Sequence, residues 1–229
     1  MANFISNIFK KKPVVNPPEW WPDYEAAFKH APSKSTPLEE VKFVVFDTET
    51  SGLNHKKDHI IQIGAVAVKN FELDLQDSLE IIIKQEEVGT ENELAVHGIR
   101  KTRVDSGIEE ELALEQFFTY VGNSILVGHH IAFDIAIVNF ALKKYYGLKL
   151  LNKSIDTANL TQRLEKPVGY HIPNPGEFSL DEICKRYNIP QHDRHTAAGD
   201  AFITAQLFMK VLARLQKKGN NKLGDILKR

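Results

Sequence analysis

The rhythm of apolar and polar positions changes at residue 41. From there the run Val-Lys-Phe-Val-Val-Phe is almost unbroken, as a strand buried on both faces requires, and residues 61–68 alternate as Ile-Gln-Ile-Gly-Ala-Val-Ala-Val. A third β-rich run covers 79–83, and Ser-Ile-Leu-Val at 124–127 forms a short buried strand preceded by helical spacing over 109–121. Residues 133–146 show helical spacing at Ile137, Phe140 and Ala141, Ser179 starts a helix toward Asn188, and 196–218 makes the last long helix. In that helix the stripe Phe202, Ala205, Met209, Leu212 and Leu215 is read as the core-facing side. The order of elements predicts an α/β domain, a mixed sheet flanked by helices.

Residues 1–40 lack this rhythm. They hold six of the ten prolines together with Trp20, Trp21, Tyr24 and Phe28, so they read as an arm whose aromatic group packs on its own domain. The main domain is placed at 41–218 and a basic tail at 219–229. With 29 basic and 30 acidic residues, the chain lacks the positive balance needed to coat nucleic acid, so any phosphate contact must be local. Seven of the basic residues fall in 210–229, leaving 22 basic and 29 acidic residues before them. Cys184 is the only cysteine, which excludes an intramolecular disulfide and a cysteine-rich zinc site and fits a reducing cytoplasm. Residues 1–12 reverse the charge order of a secretory signal, and no apolar run approaches the ~20 residues of a membrane span, so a soluble, cytoplasmic protein is expected.

Three segments carry candidate chemistry. In Phe43-Val-Val-Phe-Asp-Thr-Glu-Thr-Ser-Gly52, Asp47 and Glu49 stand two apart at a strand's carboxyl end, on one face, where ligands of open α/β sheets gather. The same residues would also serve as a polar strand exit. In Val127-Gly-His-His-Ile-Ala-Phe-Asp134, a strand leads into a helix whose first turn holds Asp134, a position the helix dipole favours for any acid. In Arg194-His-Thr-Ala-Ala-Gly-Asp200, His195 and Asp200 would lie about 140° apart on one helix. If Thr196 caps the helix, His195 instead belongs to the preceding loop and can turn toward a site that Asp200 reaches from the helix.

These three segments, in this order, resemble the motifs of the DnaQ-like, or DEDDh, family of 3′–5′ exonucleases, which includes the exonuclease domain of the DNA polymerase III epsilon subunit. The resemblance spans about residues 41–212 and implies a ribonuclease H-like fold. It implies that Asp47, Glu49, Asp134 and Asp200 bind two Mg²⁺ or Mn²⁺ ions and that His195 is the general base. It further implies substrate contacts from Thr50, Leu53 and His97. His130 departs from the pattern, standing four residues before Asp134 where the family usually has asparagine. Phe133 is read as packing.

Four carboxylates on one site need cations, and hard oxygen ligands suit Mg²⁺ or Mn²⁺. Two such ions clamp a scissile phosphate, and a histidine is suited to take the attacking water's proton near neutral pH, so the rate should rise as that histidine loses its proton. The nine histidines, among them His55 and His59, form no recognisable zinc motif. The expected activity is metal-dependent release of nucleoside 5′-monophosphates from a nucleic-acid 3′ end, with DNA preferred and a replication or repair protein as a possible partner. The alternatives are an RNA 3′ exonuclease of RNase T or oligoribonuclease type, and a non-catalytic nucleic-acid-binding module.

Overall fold

The apolar run at 43–46 is buried on both sides because it forms the central strand of a five-stranded sheet. A computed structural model describes residues 17–85, 101–166 and 174–227. Strand β1, Phe43–Thr50, pairs antiparallel with β2, Ile60–Lys69, which turns back into β3, Glu72–Ile82. On its other side β1 pairs parallel with β4, Ile125–Gly128, and β4 pairs parallel with β5, Ser154–Asp156. The order is β3-β2-β1-β4-β5. Asn70 and Phe71 take φ of 48° and 58° between β2 and β3, the positive values that a two-residue hairpin turn with the right twist requires.

The helices are α1 (Trp21–Ala27), α2 (Lys101–Asp105), α3 (Glu110–Val121), α4 (Ala132–Tyr146), α5 (Thr157–Glu165), α6 (Leu180–Tyr187), α7 (Ala197–Lys217) and α8 (Leu223–Ile226). Because side chains alternate across a strand, the sheet builds two cores. Phe43, Val45, Val66, Val68, Ile125 and Val127 pack with residues of α5 to α8, whereas Val44, Phe46, Ile63, Ala65 and Leu126 pack with residues of α1, α3 and α4. Continuing the alternation past Phe46 puts Asp47 and Glu49 on the α7 side and Thr48 on the α4 side.

Gly64 lies opposite Asp47 in the β1–β2 pairing. A Cβ there would stand 2.2 Å from both the carbonyl carbon of Ala197 and the nitrogen of Ala198, so the bare glycine lets the start of α7 rest against the sheet beside the acids. Gly64→Ala is therefore expected to lower stability by at least ~2 kcal/mol through overpacking against backbone. Urea unfolding tests this, and a variant within ~0.5 kcal/mol of wild type would contradict it.

Helix α7 corrects one expectation. Ala205, Leu212 and Leu215 are buried, but Phe202 is exposed. Thr204, Phe208, Val211 and Leu215 define the buried centre of the helix, and at about 100° per residue Phe202 falls nearly opposite it. Spacing of three or four residues holds between neighbours in the expected stripe, yet it drifts around the helix over its length.

The flanks pack on the domain. Trp20 stacks on Phe118 at 5.1 Å, and Trp21 and Tyr24 of α1 are buried in the α3–α4 core. The basic segment from 219 contains α8, whose Leu223 and Ile226 are buried, and a bridge joins Pro37 to Lys222. Among the described residues no helix is long and apolar enough to cross a membrane.

Candidate active site

The carboxyl end of β1 lies between the first turns of α4 and α7. Thr196 caps α7: its hydroxyl accepts the Gly199 amide at 3.1 Å and donates to the Asp193 carbonyl at 2.8 Å. This cap puts Asp200 in the first turn and leaves His195 outside the helix, exposed, with φ of 63°. Gln62, buried on β2, accepts the Ala197 amide at 3.1 Å and donates to Glu80 at 2.9 Å, fixing the helix start against the sheet.

Asp47, Glu49 and Asp200 converge. Each offers a carboxylate oxygen, and these oxygens all lie within 4.8 Å of one another. Asp134 approaches from α4 on the other side of β1, where its Oδ1 accepts the Thr48 amide at 3.0 Å and the Thr48 hydroxyl at 2.7 Å. It therefore braces β1 at Thr48, between Asp47 and Glu49.

Burial, followed by the charges of Asp134, Asp200 and Glu49, holds the Asp47 carboxyl well above the usual carboxylate range. Burial and the Asp200 charge push Glu49 up to about 7, and burial raises Asp134 against the lowering effect of its Thr48 bonds. Oxygens that resist ionisation because they are buried and, at Asp47 and Glu49, crowded by like charges fit a hard divalent cation, which favours their charged forms.

The remaining expected residues divide. The Thr50 hydroxyl is buried and donates to the Gly52 carbonyl at 2.7 Å, whereas Leu53 is 90% exposed beyond the strand. His97 lies outside the described residues. His130 has φ of 55°, a left-handed conformation that histidine and asparagine both adopt more readily than most residues. Its neighbour His129 is structural. Nε2 donates to the Phe178 carbonyl at 3.0 Å and Nδ1 accepts from the Thr157 hydroxyl at 2.9 Å, and burial lowers its pKa to about 3.

The sequence reading did not single out Thr48, Gln62 or Arg194. Gln62 had left a signal, a polar residue within an otherwise apolar strand. Arg194 pairs with both Asp181 and Asp200.

The family profile described as Exonuclease matches residues 44–208, from the second residue of β1 to the middle of α7, and so takes in every acid of the site. The chain belongs to the Exonuclease family. DNA polymerase III PolC-type of Thermotoga petrophila is 30% identical over 194 residues, covering 85% of this chain and 14% of that protein. The Bacillus subtilis protein of the same name is 31% identical over 183 residues, 80% of this chain and 12% of that one. The chain thus spans 12–14% of the length of these two relatives. Among solved structures, Escherichia coli Exonuclease I in complex with a dT13 oligonucleotide superposes with a TM-score of 0.64 at 16% identity, over 79% of this chain and 43% of that one. Exonuclease X in complex with 5′ overhanging duplex DNA gives 0.58 at 20% identity, over 81% and 99%. These likenesses show the ribonuclease H-like fold.

For this Exonuclease-family site the raised carboxyls set a pH dependence. Without divalent ions the native acids hold protons that the unfolded chain has released, so stability is lost as pH rises through their folded pKa values. His129 opposes this only below about 6.5, where the unfolded chain protonates its imidazole. The melting temperature in chelator is therefore expected to fall between pH 6.5 and 8.5, and Mn²⁺ to cancel the fall. Differential scanning fluorimetry checks both, and a rise over that range in chelator would refute the assignment.

Proposed function

We propose that this chain is a 3′–5′ exonuclease that releases nucleoside 5′-monophosphates from DNA, with Asp47, Glu49, Asp134 and Asp200 holding two Mg²⁺ or Mn²⁺ ions. The observation that carries this reading is the convergence of three carboxylates from two elements beside a histidine-bearing loop. Bound divalent ions supply neutralisation of the phosphate charge and a more acidic water. Asp47, Glu49 and Asp200 present oxygens to such ions, and Asp134, whose Oδ1 is held by Thr48 of β1, has its Oδ2 left for one. His195 stands on a capped loop within the same segment as Asp200, open to solvent, so it can accept the attacking water's proton and pass it on.

Thr50 follows Glu49 directly, and Leu53 comes four residues after it. An apolar side chain standing free at the rim suits a terminal base, and we assign Leu53 that contact, with Thr50 and His97 as further substrate contacts. The polymerase relatives and the DNA-bound structural neighbours support DNA as substrate, a replication or repair protein as partner and the cytoplasm as location.

Matched 3′-labelled single-stranded DNA and RNA, incubated with Mg²⁺, Mn²⁺ or chelator, test the proposal. Mononucleotides are expected from DNA with either metal and none with chelator. Large preference for RNA would replace the substrate and keep the chemistry; no release under any metal would end the enzymatic reading.

A further inference from the structure

The carboxylate cluster has a cation of its own. Arg194 precedes His195 and reaches in two directions: Nε donates to Asp181 Oδ1 at 2.9 Å, and Nη1 donates to Asp200 Oδ1. Its side chain is only 19% exposed, and that of Asp200 10%, whereas Asp181, in the first turn of α6, is 50% exposed. The guanidinium therefore spans an inner carboxylate shared with Asp47 and Glu49 and an outer one at the surface. Arginine stays charged at every relevant pH, and its fork can hold two carboxylates at once.

We propose that Arg194 is the resident countercation of the acidic cluster: it offsets Asp200 in the metal-free protein, competes with the divalent ion for that carboxylate, and is drawn off it by Asp181. This rests on the metal site proposed above. A positive charge in contact with one ligand disfavours a second cation, and at intermediate dielectric a unit charge at such range changes binding by at least ~10-fold. Asp181 supplies the compensating attraction, so it should help the ion only through Arg194. An arginine that merely oriented Asp200 for metal would have the opposite effect on affinity when removed.

Mn²⁺ binding to the full chain, followed by electron paramagnetic resonance of the free ion, separates these cases. Arg194→Gln is expected to bind Mn²⁺ at least ~10-fold more tightly than wild type and to melt lower in chelator. Asp181→Asn is expected to bind several-fold more weakly, and to have no effect when added to Arg194→Gln. Weaker or unchanged binding by Arg194→Gln overturns the proposal, as does an equal loss from Asp181→Asn in both backgrounds. Should Arg194→Gln not fold, tighter or unchanged binding by Asp181→Asn alone overturns it. Wild-type protein that binds no Mn²⁺ removes the metal site itself, whereas wild-type binding with unaltered variants removes only the role of Arg194.

Discussion

Asp47→Asn is expected to release mononucleotides at least ~1,000-fold more slowly than wild type and yet to melt at a higher temperature in chelator at pH 8. The first effect follows from losing one of the three oxygens that converge at the end of β1. A metal-held transition state depends on its ligands for several kcal/mol, and each ~1.4 kcal/mol is a factor of ten in rate. The second effect has the same origin. Asp47 is held well above the carboxylate range by burial and by three neighbouring acids, so ionising it at pH 8 opposes folding. An amide of the same shape removes that opposition, and each ~1 kcal/mol recovered raises the melting temperature by about 2–4 °C in a domain of this size. Quantified nucleotide release and fluorimetric melting check the two together. A variant that is slow and also less stable in chelator would place Asp47 in the framework and remove the repulsion argument.

His195→Asn is expected to lower turnover by about 10²–10⁴-fold, the span typical of a lost general base, with Mn²⁺ affinity unchanged. Asparagine is the suitable replacement because the residue sits at φ of 63°, which asparagine tolerates. His195 is exposed and outside the cap of α7, so stability should stay within ~0.5 kcal/mol. A variant retaining the wild-type rate would move the proton-accepting role to another group.

The central features were legible because burial writes itself into sequence. β1 shows a two-sided apolar run and α3, α4 and α7 show helical spacing; the helix boundaries fall within a residue of those expected, whereas β1 continues four residues past the apolar run at 41–46, to Thr50. Where burial is partial the pattern fades. β3 begins at Glu72, well before the apolar run at 79–83, because an edge strand can carry Asp74, Gln76 and Asp77 without cost. β5 has three residues, and the α5 helix buries Thr157 and Thr161 as well as leucines, so neither produced a period. At the site, residue types marked the acids and His195, and the Thr196 cap explains the loop position of the histidine. Spacing could not separate Asp134, bound to Thr48, from the three acids that converge, because that difference depends on which side of β1 each helix lies. Nor could it show that Arg194, in the loop before α7, reaches Asp181 on α6, thirteen positions earlier.

The contact between the flanks bears on how such a domain can be carried. Leu38 donates its amide to the Asn221 carbonyl at 3.0 Å and Leu223 to that of Thr36 at 2.9 Å, so the stretch leading into β1 and the stretch leaving α7 run side by side. Polypeptide joined at those two places would enter and leave through a single doorway. Such a unit can be spliced into a loop of a host protein without prying the host's strands or helices apart, and the acids at the far end of β1 can face whatever the host presents.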